Sequence, residues 1–210
     1  METQTQARND TQKENAKDRF VRKTRELFAR ESDLDKRWTA LRPILAELLA
    51  DPEMIEASKK WPDCAPSDGR AENLLFYEDP DFGFAINGLT KGTARQGGST
   101  RVHDHAHIYT LYGVIDGHEK VVRYERLDDR SNPKYAKIRE ASNVLCGPGD
   151  IDLVKPYEIH TELTVGERTV AVIIRSQKGG DFNQGRYNLE TGDYFESLGP
   201  RQTPSEMMPK

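Results

Sequence analysis

The spacing of apolar positions changes character once along the chain, near residue 70. Before that point it is helical. Within "DLDKRWTALRPILAELLADPE", Leu41, Leu45, Leu48 and Leu49 fall near one face, and Ser32 is the predicted cap. Pro43 interrupts this run, which predicts two short helices or a kink rather than one rod. Residues 15–69 are read as a helical layer laid over one face of the main domain, closing on the loop-like "WPDCAPSDGR". Residues 1–14 are polar, rich in Gln and Asn, and predicted to be disordered.

Beyond residue 70 the apolar runs become short and rich in Val, Ile and Tyr. "NLLFYEDPDFGFAINGLT" holds two of them around a turn at Asp79–Pro80–Asp81. "TRVHDHAHIYTLYGVIDG", "HEKVVRYERLDD", "DIDLVKPYEIHTELTV" and "RTVAVIIRSQ" follow. Turn signals at Asp116–Gly117, Gly147–Asp150 and Gly166–Glu167 separate them. Many short strands without alternating long helices predict a mainly β domain, an antiparallel sandwich or barrel, over residues 70–190. The polar tail, 191–210, is expected to drape over that barrel or fray.

Composition narrows the classes of function. A net charge of −4 argues against a dedicated nucleic-acid binder, and "KENAKDRFVRKTR", with acids among its bases, reads as a solvated helix face. Cys64 and Cys146 lie far apart, so no disulfide framework is expected and a reducing cytoplasm is the expected compartment. No run of about 18 apolar residues exists, so no membrane partner is expected. The N-terminus lacks the apolar segment of a secretory signal.

The candidate chemistry lies in histidine. Three of the five histidines, His103, His105 and His107, occupy alternate positions. If residues 101–113 form one strand, these three share a face with Tyr109 and Leu111, and Asp104 points the other way. Imidazoles at i and i+2 start about 7 Å apart and can lean toward one ion, whereas one at i+4 starts about 13 Å from the first. His103 and His105 are therefore candidate ligands, and His107 is a hydrogen-bonding group of the pocket wall. A third ligand must come from elsewhere. His118 follows a turn and is expected to face solvent, which leaves His160, in an extended run opened by a Gly-rich turn.

"GSTRVHDH", the following "YGVIDG" and then "GPGDIDLVKPYEIH" resemble the two motifs of the cupin superfamily. The resemblance implies a double-stranded β-helix, or jelly roll, with a metal held by two histidines of the first motif and one of the second. Where many cupins carry a glutamate ligand this chain has Tyr109 and Thr110, so the implied shell is three neutral imidazoles with no acid. That shell, the nearby His107 and "ENLLFYED" upstream resemble the cysteine dioxygenase-like thiol dioxygenases over about residues 70–177. The likeness implies mononuclear non-haem Fe(2+), O2 and a small substrate, a thiol that also bears a carboxylate. At the level of the superfamily it implies a homodimer. Two departures point away from cysteine itself. Glu72 stands beside Asn73 where that family has an Arg, and Ile173, Arg175 and Gln177 replace its Ser–His–Tyr group.

Alternation puts Arg175 and Gln177 on one face, as candidate substrate-binding residues. Inside the barrel Arg175 would clamp a carboxylate; on a twisted strand it would reach solvent instead. Tyr109 would hydrogen-bond bound oxygen or substrate, or simply pack. Glu162, two residues after His160, would orient an imidazole or, more simply, sit at the surface. The expected function is a mononuclear iron dioxygenase in which His107 and Tyr109 assist catalysis. The alternatives are a three-histidine cupin cleaving a diketone-like substrate, a zinc, nickel or manganese cupin isomerase or hydrolase, and a non-catalytic binding cupin.

Overall fold

The structure is a computed structural model that describes residues 14–64, 70–92 and 101–209. The disorder expected of residues 1–13, the middle of the 61–70 loop and Gly98–Thr100 of the first histidine motif lie outside these residues.

Three helices come first: α1 (Ala16–Arg30), α2 (Leu34–Leu49) and α3 (Pro52–Ser58). Each starts on a side-chain cap. Asn15 accepts from Asp18 N–H, Asp33 from Lys36 N–H, and Asp51 from Glu53 and Met54 N–H. The cap of α2 is thus Asp33, one residue beyond Ser32. Pro43 does not divide the run, because α2 continues through it. The break falls at Asp51–Pro52, where proline takes the first helical position and its missing N–H costs nothing.

The rest is mainly β and largely antiparallel, as expected, with the helices as an N-terminal layer. Its strands are β1 (Glu72–Glu78), β2 (Ala85–Gly92), β3 (Thr110–Arg126), β4 (Ile138–Cys146), β5 (Ile151–Val154), β6 (Ile159–Arg175), β7 (Asn183–Tyr187), β8 (Tyr194–Leu198) and β9 (Arg201–Pro204). Seven strands form one sheet: β4-β3-β6-β2-β1-β9 in order, with β5 against the start of β3. β7 and β8 form a separate hairpin. β1 and β2 pair around the predicted Asp79 turn, where the Asp79 carboxylate accepts from Asp81 and Phe82 N–H.

Several predicted breaks are absent. Asp116–Gly117 and Gly166–Glu167 are not turns between strands; β3 and β6 run through them as 17-residue strands that pair along their length. Register shifts around Asp116 let the pair bend, and Gly117, at φ 78°, packs so closely that a Cβ would sit 2.0 Å from Arg168 O. β4 was not predicted. Its residues are mostly exposed at the sheet edge and show no alternation to read. The tail neither drapes nor frays: it supplies β8, and β9 pairs in parallel with β1.

The two faces of the sheet have different neighbours. Trp38, Leu41, Leu45, Leu48 and Leu49 of α2 bury themselves against Leu111, Val170, Val172 and Ile174. Each fully buried large apolar side chain contributes about 1.5–3 kcal/mol. α2 lies close because Gly113 has no side chain; a Cβ there would meet Leu49 Cδ1 at 2.7 Å. The opposite face carries a small apolar group, Tyr112, Val114, Ala171 and Ile173. On that inner side the polar residues gather.

Candidate metal centre

His103 lies in a short irregular segment, held to β6 by two 2.9 Å hydrogen bonds in which His103 and His160 exchange backbone N–H and C=O. His105 follows, and the chain then turns. Ala106 adopts φ 51°, in the left-handed region, and its carbonyl accepts the N–H of Tyr157 at 2.7 Å. The predicted continuous strand over 101–113 is therefore not formed; regular pairing begins only at Thr110.

The three imidazoles meet. His103, His105 and His160 are 7, 5 and 0 % exposed, and each offers a nitrogen within 4.8 Å of the others'. Two donors bound to one ion at about 2.0–2.2 Å and at right angles stand about 3 Å apart. His103 Nε2 and His105 Nε2 are 3.1 Å apart.

Backbone carbonyls set the tautomers. Arg101 O lies 2.8 Å from His103 Nδ1 and Glu158 O lies 3.1 Å from His160 Nδ1, so both Nδ1 atoms must donate. The lone pair of each neutral ring is then on Nε2, pointing into the cluster, as metal ligation requires. Burial, reinforced by the charge of His160, pushes His103 down to about 3 and His105 well below the usual imidazole range. Neither competes for a proton at neutral pH.

An acid also stands at the cluster. Glu162 is buried, with Oε1 3.2 Å from His160 Nε2. Burial alone would lower His160 and raise Glu162; their mutual attraction outweighs it, so His160 is raised and Glu162 falls well below the carboxylate range. A cation must separate this carboxylate from the Nε2 lone pair. Either a proton or a metal ion at Nε2 would meet that need. The converging group is the three imidazoles alone, with Glu162 beside His160 where it can orient that ring; the surface placement of Glu162 is corrected. Residues 160 and 162 share a strand face.

Arg175 points inward and is 3 % exposed. Its Nη1 donates to Asn87 Oδ1 at 2.7 Å and its Nη2 to Asn73 Oδ1 at 3.0 Å. Both partners are neutral amides, so the guanidinium is held without being neutralised. Burial pushes it down to about 10, leaving it charged at neutral pH. Deeper on the same face Lys91 Nζ approaches Glu119 Oε1 at 2.7 Å. Tyr112 is buried in this group, and burial, with Glu119 nearby, pushes its hydroxyl well above the usual range.

The other proposed site residues lie elsewhere. His107 is exposed, with Nε2 3.0 Å from Gln177 Oε1 and its ring 5.0 Å from that of Phe182. Gln177 is exposed too, so neither borders the imidazole cluster. Tyr109 turns to the helical layer, where it stacks on Trp38 and donates to Asp35 Oδ1 at 3.1 Å. The turn at Ala106 is the cause, since it separates the face of His103 and His105 from all that follows. His118 is exposed, as expected. A surface groove of about 540 Å³, lined by Arg42, Pro43, Val144, Leu145 and Asp150 among others, includes none of the three imidazoles.

Among the described residues no helix is long and apolar enough to cross a membrane, and Cys64 and Cys146 are free thiols. No family model and no curated protein matches the chain. Among solved structures, an uncharacterized conserved protein with a double-stranded β-helix domain from Klebsiella pneumoniae is 16% identical over 65% of this chain and 85% of its own, with a TM-score of 0.38. The cupin domain of Schizosaccharomyces pombe Cnp3 is 10% identical over 50% of this chain and 64% of its own, with a TM-score of 0.38. A recombinant oxalate oxidase in complex with glycolate is 18% identical over 45% of this chain and 42% of its own, with a TM-score of 0.35. The likenesses are of low identity throughout, and the fold class stands on this chain's own strand pairing.

Proposed function

We propose that the chain is a mononuclear non-haem iron dioxygenase that oxidises a small carboxylate-bearing molecule with O2. One observation carries this reading: three buried imidazoles converge, two of them with Nε2 lone pairs fixed inward by backbone carbonyls. His103, His105 and His160 would hold the ion. Ferrous iron bound there supplies the redox chemistry with O2 that side chains cannot.

The chain's own residues do the rest. Arg175, anchored by Asn73 and Asn87, binds the substrate carboxylate through its remaining N–H groups. Burial of all three imidazoles excludes bulk water and strengthens that attraction. Glu162 Oε1 offsets part of the ion's charge beside His160. On the inner face Lys91 pairs with Glu119 and Glu162 stands at His160, so the Arg175 guanidinium, held by neutral amides, is left for an anionic substrate to meet. The thiol half of the expectation rests on the family resemblance; buried Arg175 supports the carboxylate half.

The test is metal analysis of protein purified without air, followed by oxygen uptake with small thiol, hydroxy and oxo acids and their uncharged amides. Iron-dependent uptake with an acid but not its amide is expected. Tightly bound zinc with no iron-dependent uptake would replace this reading with a non-redox isomerase or hydrolase.

A further inference from the structure

We infer that Asp104 is a positioning residue for the metal ligands, and that the β7–β8 hairpin acts through it as the back wall that sets the His103–His105 spacing. The inference rests on reading the three imidazoles as ligands.

The segment carrying His103 and His105 has little regular structure of its own. His103 makes isolated bridges to His160 and Arg186, and strand pairing resumes only at Thr110. Ala106 holds a left-handed conformation, which is unfavourable for an L-residue. Something must hold the segment in place, and Asp104 lies between the two histidines, 4 % exposed. Its Oδ1 accepts Ala106 N–H at 2.8 Å and Gly185 N–H at 3.0 Å, and its Oδ2 accepts the Tyr187 hydroxyl at 2.7 Å. Two backbone bonds finish the clamp: Asp104 N–H to Gly185 O at 3.2 Å and Tyr187 N–H to Val102 O at 3.0 Å.

The two backbone N–H groups and the tyrosine hydroxyl that the carboxylate accepts are all neutral, so the contribution of Asp104 here is geometry. One carboxylate ties the residue after His105 to the hairpin behind, and the hairpin grips Val102 just before His103. The fit is close. A Cβ on Gly185 would lie 2.4 Å from Asp104 Oδ2, so only glycine lets the hairpin approach. Outer partners of metal ligands typically change affinity about 10- to 100-fold, and Asp104 acts at that remove.

The experiment uses Co(II) as probe, titrated into chelator-treated full-length protein. It reads affinity, the visible absorption spectrum at saturation and the melting temperature of the metal-free form. Asp104→Ala is expected to weaken Co(II) binding about tenfold or more and to shift the saturated spectrum. Asp104→Asn keeps an oxygen for both N–H groups and should restore the spectrum and most of the affinity. Gly185→Ala retains every hydrogen-bonding group yet displaces the carboxylate, so it should reproduce the spectral shift even if Asp104→Ala fails to fold. Unshifted spectra in the variants that fold, with or without a lower melting temperature, would overturn the inference and leave Asp104 as support for the fold alone. Absence of Co(II) binding by the unaltered protein would remove the ligand reading itself, and this inference with it.

Discussion

His103 and His107 stand only four residues apart, yet one is buried against two other imidazoles and the other lies at the surface on Gln177. Tyr109 and Tyr112 differ in the same way: the first stacks on Trp38 outside the sheet, and the second is buried with Val114, Ala171 and Ile173 inside it. Ala106 explains the first contrast. Its left-handed turn, held by the N–H of Tyr157, ends the face that His103 and His105 share before His107 is reached. Strand alternation explains the second, since residues 109 and 112 differ by an odd number. A period of two is a statement about one uninterrupted strand, and a single residue at positive φ cancels it.

The sharpest way to break the first contrast is to delete each imidazole. His160→Ala should abolish stable metal binding, a loss beyond the roughly 10- to 100-fold typical of outer partners, whereas His107→Ala should leave metal content unchanged and stability within about 0.5 kcal/mol. Metal analysis after dialysis and thermal melts measure both. Equal loss in the two variants would return His107 to the centre. Arg175→Met comes next. It leaves the Asn73 and Asn87 amide oxygens without their donor, costing about 1–3 kcal/mol each, and should raise KM for an acid substrate far more than for its amide. Denaturant unfolding and the KM ratio report the two parts. The smallest effect is at the turn. Ala106→Gly removes about 1–2 kcal/mol of left-handed strain against about 0.5–1 kcal/mol of lost chain stiffness, a net gain of about 0 to 1.5 kcal/mol. A loss of stability there would show that Ala106 is not under strain.

The convergence of the three histidines was legible because imidazoles are scarce in this chain and two of them sit at i and i+2, while His160 closes a Gly-rich β run. The same spacing offered Glu162 as a partner of His160, and the surface alternative was preferred because nothing in the sequence shows that this strand face is buried. The turn at Ala106 was not legible, since alanine carries no left-handed preference and only the neighbouring backbone of Tyr157 enforces it. β4 was missed because both its faces are exposed at a sheet edge, which leaves nothing to alternate. The bends in β3 and β6 were misread as turns because glycine at positive φ marks both, and only the long-range pairing of the two strands tells them apart. The anchors of Arg175 could not be foreseen: Asn73 and Asn87 come from different strands, roughly a hundred residues earlier.

Asn87 is itself held from afar, its Nδ2 donating to Gln202 Oε1 at 2.6 Å in β9. A chain leaving the ribosome would therefore have all its imidazoles released well before the guanidinium's cradle is complete. Protein cut short of residue 201 would keep His103, His105 and His160 while lacking the Gln202 brace behind Asn87 and Arg175. The outermost brace of the Arg175 cradle thus comes from the last strand of the fold.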